Sequence, residues 1–381
     1  MNAPVKDSAD ANRPETILQF GAGRFLRGFV DYFVQQANDA GQNVGRVVIV
    51  QTTGSDRADA MNSRTSGGYH VLLRGVDRGR KFDECHTVKS VSRAISANSQ
   101  WNDVVAAFCS PHIKWVVSNT TEAGYALDAA DRPDDAPPKS FPAKLTALLW
   151  ERFQRGGESL TIVPCELIER NADKLRSLVL DLAVAWGKPT EFHHWLTSEV
   201  LWLENLVDRM VTAPSSPHAE AGDDPLVVQV EPFALWAIKR PTPGWSWPWP
   251  HPAIEVVDEL SPYYLRKVRI LNGLHSAMVA KFRPLGFETV QQVAGDEAAM
   301  EWLLGLLYEE IVPTIAHRAD DVAKFARQTL DRYANPFLAH KLSDIALNHE
   351  AKVAVRLRPT YDEYTSLFGK HPKRLSEILT H

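Results

Sequence analysis

The stretch TILQFGAGRFLRGF, residues 16 to 29, changes character twice. Ile17 to Phe20 form a short apolar run that reads as a buried strand, and Gly21 and Gly23 follow it directly. Phe25 and Phe29 then begin a helical spacing that continues through Phe33 and Ala37. Strand, glycine turn and helix together open a unit in which a crossover helix covers a parallel sheet. Glycine lets the backbone turn tightly and come close to a pyrophosphate, whose charge is favoured at the start of the helix. Gly21, Ala22, Gly23, Arg24 and Phe25 are therefore candidate cofactor-binding residues. Leu26 stands where the usual G-x-G-x-x-G pattern has its third glycine. Read alone, the turn fits a plain strand-to-helix connection equally well.

Outward from this turn the alternation continues. RVVIVQ at 46 to 51 is a second buried strand, and YHVLLRG and HTVKSVSRAI read as added antiparallel strands. A helix from Trp101 leads into the strand IKWVVSN, a helix over about 141 to 155 precedes SLTIVP, and a helix over 171 to 186 precedes FHHWLTSEVLWLENLVDRMV, read as helix then strand. KRPTPGWSWPWPHP breaks the pattern, because proline lacks the backbone donor that regular structure needs. Beyond it the sequence has long helical periods, such as AMEWLLGLLYEEIVPTIA, with little that looks like strand. The expected fold class is α/β: an N-terminal Rossmann-type, mainly parallel sheet domain over 1–240, a Pro/Trp-rich linker over 241–251, and an all-α substrate and catalytic domain over 252–381.

Composition narrows the partners. With 381 residues and 44% hydrophobic content the chain is globular and too long for a single core. A net charge of -5 gives no basic footprint for nucleic acid. No apolar run is long enough to span a bilayer, and the start MNAPVKDSADANRPE lacks the apolar core of a signal peptide. The three cysteines, Cys85, Cys109 and Cys165, have no metal-binding spacing, and the adjacent His193 and His194 point in different directions on a helix. These features predict a cytoplasmic protein with no metal, no nucleic acid and no membrane as partner.

Three further places bear on a ligand. The second strand ends at Gln51 where a carboxylate would receive ribose hydroxyls, with Asp56 and Arg57 close behind as alternative ribose or 2′-phosphate contacts or as solvated loop charges. The strand ending VVSNTTEAGY puts Thr120 and Glu122 at the carboxyl edge of the sheet, where they could meet a ligand or cap a helix. The third is RKVRILNGLHSAMVAK, residues 266 to 281, in which Lys267, Asn272, Gly273 and His275 interrupt an apolar helical pattern. At about 100° per residue Lys267, Asn272 and His275 share one face within about 12 Å of rise. A desolvated lysine could take a hydroxyl proton, and asparagine and histidine could stabilise or orient an oxygen becoming negative. Gly273 could admit a close neighbour. Taken singly, each of these residues also has an ordinary structural reading: a snorkelling lysine, an amide bonded across a helix interface, or a satisfied core histidine.

LQFGAGRFLRGF, VVSNTTEAGY, PCELIERNADKL, ENLVDRMV, EPFALWAIK and KVRILNGLH, in this order, resemble the mannitol dehydrogenase family of polyol-specific long-chain dehydrogenases from about residue 16 to beyond 350. The resemblance implies metal-independent oxidation of an alcohol with NAD as the usual cofactor and NADP left open. It also implies Lys267 as general base, Asn272 as oxyanion donor and His275 as a positioning group. VVSNTTEAGY, PCELIERN and RYANPFLAHKLSDIALNHEAK are most similar to the branch that interconverts altronate and tagaturonate. Leu167 stands where mannitol-acting members have an asparagine, and Asp344 where they have a basic residue, while Lys352 keeps its place as a candidate carboxylate contact. A linear sugar acid is therefore the leading substrate. The rivals are mannonate or fructuronate, a polyol such as mannitol or arabinitol, a sugar phosphate, and a non-catalytic nucleotide-binding regulator.

Overall fold

The computed structural model describes residues 12–64, 68–120 and 122–379. The described residues form two compact units, one of those up to Leu72 with those of Cys85–Val230 and Ala234–Asp258, the other of Leu73–Glu84, Glu231–Phe233 and those from Glu259 onward.

The first unit is built on six strands in parallel: β1 (Glu15–Phe20), β2 (Arg46–Gln51), and, after the hairpin β3 (Tyr69–Asp77) and β4 (Arg80–Val88), β5 (Val91–Ser96), β6 (Trp115–Ser118), β7 (Thr161–Pro164) and β8 (Leu201–Trp202). Their order, β5-β2-β1-β6-β7-β8, reverses direction between β1 and β6. That is the Rossmann order, and the crevice at the reversal is where such sheets bind ligands. Val47 to Val50 are fully buried, as expected of a strand covered on both faces. β9 (Asn205–Asp208), β12 (Leu235–Lys239) and β13 (Ile254–Val257) form a small sheet, and β10 (Val211–Thr212) and β11 (Val228–Val230) extend the β3–β4 hairpin. The Pro/Trp-rich stretch between β12 and β13 is packed, with Trp247 buried against Trp236 and Trp249 at ring separations of 5.2 and 4.9 Å.

Two sequence expectations change. HTVKSVSRAI is not one antiparallel strand: Lys89 and Ser90 interrupt it, and Val91–Ser96 joins the parallel sheet beside β2. The helix after the glycine turn is also broken, into α1 (Arg24–Arg27) and α2 (Val30–Asp39). Gly28 sits at the break because a Cβ there would lie 2.6 Å from Val230 and 2.9 Å from Val211. Further helices α3 (Asp56–Asn62), α4 (Trp101–Phe108), α5 (Phe141–Gln154), α6 (Asn171–Ala185) and α7 (Thr190–Ser198) complete the first unit.

The second unit is helical apart from the tip of the β3–β4 hairpin, but the span from 252 expected to be all helical opens with a strand, β13, which pairs with β12 in the first unit. Its core gathers Ile270, Leu274, Met278, Leu303, Leu307 and Phe325. Through the middle runs a composite helix: α8 (Ser261–Arg266), a wide turn Lys267–Asn272 with i→i+5 π geometry, and α9 (Gly273–Phe282).

Candidate active site

At the reversal point of the first unit, the carboxyl ends of β1 and β6 face one another across the glycine turn. Gly21 donates its N–H to the Val50 carbonyl at 3.0 Å and has φ of 118°, a conformation that favours glycine. A Cβ on Gly21 would stand 3.0 Å from the Asn119 carbonyl oxygen, whereas one on Gly23 would meet nothing within 4 Å. Gly21 therefore closes the turn against β6, and Gly23 leaves open space at the start of α1. Ala22 is buried, Arg24 exposed and Phe25 stacked on Phe29 at 4.9 Å. The open turn at the switch point is a cradle that fits a dinucleotide pyrophosphate.

A buried polar chain supports this turn. Gln19 donates to the Gly21 carbonyl at 3.2 Å and reaches Asp31 at 3.5 Å, and Tyr69 donates its hydroxyl to Asp31 at 3.1 Å. Burial raises the Asp31 carboxyl to about 7, against the pull of Tyr69, Gln19 and Arg27.

Gln51 has a different role from the one its position suggests. Its side chain is buried and fully used by the loop, donating to Thr53 and Asp56 and accepting from the Ala58 N–H. What it presents outward is Asp56, an exposed carboxylate that the bond from Gln51 keeps below the usual range. Thr120 is likewise engaged: its N–H and hydroxyl both go to Glu166, at 2.9 and 3.1 Å. The side chain of Glu122 lies outside the described residues.

Glu166 is a residue whose role the sequence reading missed. It is 2% exposed and also accepts from Ser118 and Tyr125, so four donors from the β6 end converge on one carboxylate. Burial pushes its pKa up while these donors oppose the shift. The Cys-Glu pair ending β7 was the visible signal, but its partners lie more than forty positions away.

In the second unit, the wide turn changes the geometry assumed for Lys267, Asn272 and His275. In an i→i+5 turn the residue five positions on occupies the place that i+4 holds in an α-helix. Asn272 thus stands one turn above Lys267, not far round from it, and His275 follows three residues later on the same face. Lys267 and Asn272 are half-buried and His275 is buried. The Asn272 side-chain amide has no hydrogen-bond partner among the described residues.

Tyr333 holds this arrangement from a distant helix, Val322–Tyr333. Its hydroxyl donates to the Leu271 carbonyl inside the wide turn at 2.7 Å, and its ring lies 4.8 Å from that of His275. His340 packs edge-on against His275, also at 4.8 Å. Burial pushes the His340 imidazole below its ordinary range, with Asp344 opposing and Arg332 assisting. Gly273 has room: a Cβ there would meet its nearest neighbours, Val268, Arg356 and Leu357, at 3.6 to 3.7 Å, which is ordinary contact, so no close approach requires glycine. Lys352 is half-buried and donates to the Ile345 carbonyl at 2.9 Å, and lost hydration and Arg356 hold its ammonium below the usual lysine range. Asp344 is exposed. Among the described residues, no group of three or more His, Cys, Asp or Glu could hold a metal.

The mannitol dehydrogenase Rossmann domain matches residues 15–246, and the mannitol dehydrogenase C-terminal domain matches residues 259–375. The chain belongs to the mannitol dehydrogenase family. Altronate oxidoreductase of Bacillus subtilis is 36% identical over 379 residues, covering 95% of this chain and 78% of the relative. Its counterpart from Yersinia enterocolitica is 35% identical, covering 98% and 80%. Among solved structures, mannitol 2-dehydrogenase of Pseudomonas fluorescens, in ternary complex with NAD and D-mannitol, has the same fold, with a TM-score of 0.77 and 21% identity over 98% of this chain and 79% of the other. A D-sorbitol dehydrogenase in substrate-free form also superposes with a TM-score of 0.77, at 20% identity over 93% and 77%.

Proposed function

We propose that this NAD-dependent oxidoreductase interconverts a secondary alcohol and a ketone on a linear sugar acid, with D-altronate and D-tagaturonate as the pair. The observation that carries the proposal is the wide turn that brings Lys267, Asn272 and His275 to one face of a largely buried helix. The relatives named altronate oxidoreductase support the choice of substrate, since they match over nearly the whole chain.

Bound NAD would supply the acceptor for a hydride leaving the carbinol carbon. The Lys267 amine takes the hydroxyl proton in oxidation and returns it to the carbonyl oxygen in reduction. Asn272 donates an amide N–H to the oxygen as negative charge develops there, and its unpartnered amide is available for that contact. His275, fixed between two rings, orients the same oxygen. Gly21, Ala22 and Gly23 would hold the cofactor pyrophosphate, with Arg24 and Phe25 at its edge. Thr120 and Gln51 act indirectly, Gln51 by setting Asp56 where ribose hydroxyls can be received. Lys352 is assigned to the substrate side.

Among the described residues no helix is long and apolar enough to cross a membrane. A cytoplasmic location belongs to the proposal and agrees with cysteines that form no disulfide.

Initial rates with tagaturonate, fructuronate, fructose and fructose 6-phosphate, each with NADH and NADPH, test the assignment. Tagaturonate with NADH should give the highest kcat/KM, by at least about tenfold. Preference for fructose or for the sugar phosphate would overturn it.

A further inference from the structure

Past His275 the face of α9 continues into an open pocket of about 520 Å³, lined by Val279, Ala280, Arg283, Pro284, Ala346 and His349. Val279 is four residues beyond His275, which places it on the same face about 6 Å further along the helix. A carbon chain with bonds of about 1.5 Å covers that rise in four or five bonds, within the length of a six-carbon acid.

The lining carries the Arg283 guanidinium and the His349 imidazole and no carboxylate. Arg283 is exposed, and its guanidinium makes no hydrogen bond or ion pair with another described residue. The half-buried His349 ring makes no hydrogen bond with another described residue, and only Nδ1 is sealed from solvent, which leaves Nε2 as the nitrogen open to the pocket. Lys352, Arg283 and Arg356 all lie near enough to oppose protonation of His349, after burial as the first cause, and only Glu350 acts the other way. Such an excess of positive charge around an open guanidinium and an open ring N–H favours an anion with acceptor oxygens.

We propose that this pocket is an anion subsite that receives the carboxylate end of the substrate, through Arg283 and His349, while the reacting carbon lies by Lys267, Asn272 and His275. The proposal rests on the sugar-acid reading above and adds where the acid is recognised. A phosphate ester presents the same kind of oxygens, so the two anions must be separated by experiment.

The test uses the full chain with Arg283→Gln, His349→Gln and the double variant, following NADH oxidation with tagaturonate, fructose and fructose 6-phosphate. Loss of a charge-assisted contact should raise the ratio of the tagaturonate KM to the fructose KM by about ten- to a hundredfold, and Arg283→Lys should recover part of it. An unchanged ratio in the double variant, with wild-type turnover of tagaturonate intact, would overturn the subsite and leave the sugar-acid reading standing. A changed ratio for fructose 6-phosphate alone would overturn the carboxylate assignment. A wild type that turns over no sugar acid would sink both. Should the variants fail to fold, inorganic phosphate added to the wild type serves instead. It should raise the KM for tagaturonate more than that for fructose, and equal inhibition of both would count against the pocket.

Discussion

Lys267–Asn272 and Leu306–Ile311 are both i→i+5 turns inserted between regular helical segments of the second unit. The later turn has a cause in its own chain. Pro313 follows it by two residues, has no N–H to give and would press its ring against the carbonyl four residues back, so the helix widens ahead of it. Leu306, Leu307 and Ile311 close that turn into the core. The earlier turn contains and precedes no such proline. It carries Lys267, Arg269 and Asn272, and a carbonyl within it is held by Tyr333 from another helix. One backbone device thus accommodates a proline in one place and aligns polar side chains in the other.

The glycines beside the two turns differ in the same sense. Gly305 cannot accept a side chain without moving the Arg374 guanidinium, which pairs with Glu309, whereas Gly273 has space for a methyl group.

If Tyr333 maintains the functional turn, Tyr333→Phe should break it without emptying the core. The ring remains beside His275 while the hydroxyl and its bond to Leu271 are lost. We expect kcat to fall about tenfold, equivalent to about 1.4 kcal/mol, with NADH affinity unchanged. An unaltered kcat would mean that the turn needs no outside support.

Pro313→Ala probes the other turn. Restoring an N–H should raise stability by up to about 1 kcal/mol, a Tm gain of a few degrees, while kcat stays the same. A loss of turnover there would show that both turns serve the reaction.

Gly273→Ala should do least. Its Cβ meets only ordinary contacts, and replacing a helical glycine contributes about 0.5 to 1 kcal/mol of stability. Thermal unfolding alongside initial rates would check both parts, and a fall in kcat beyond about threefold would reveal a close approach by substrate.

Much of this architecture was legible in the sequence because burial leaves a local trace. The apolar runs of β1 and β2, the glycines between β1 and α1, and the long helical periods beyond β13 carry the two-part fold, while Ile254–Val257, in the span read as helical, is a strand. Family motifs then pointed to Lys267, Asn272 and His275. The wide turn was not legible, since an added residue shifts the phase of a helical pattern without leaving a composition of its own. Asn272-Gly273 in an apolar helix was its only mark. β5 was misplaced because two non-strand residues are all that separate it from β4. Tyr333, His340, Glu166 and the chain from Gln19 to Tyr69 join positions far apart in sequence, and no local pattern encodes a pairing between them.

Lys267→Ala, followed through NADH binding and single-turnover reduction of tagaturonate, tests the central claim most directly. Removing the proton donor should slow the chemical step by about 10²- to 10⁴-fold while NADH binds as before. Chemistry within about threefold of the wild type would contradict the account.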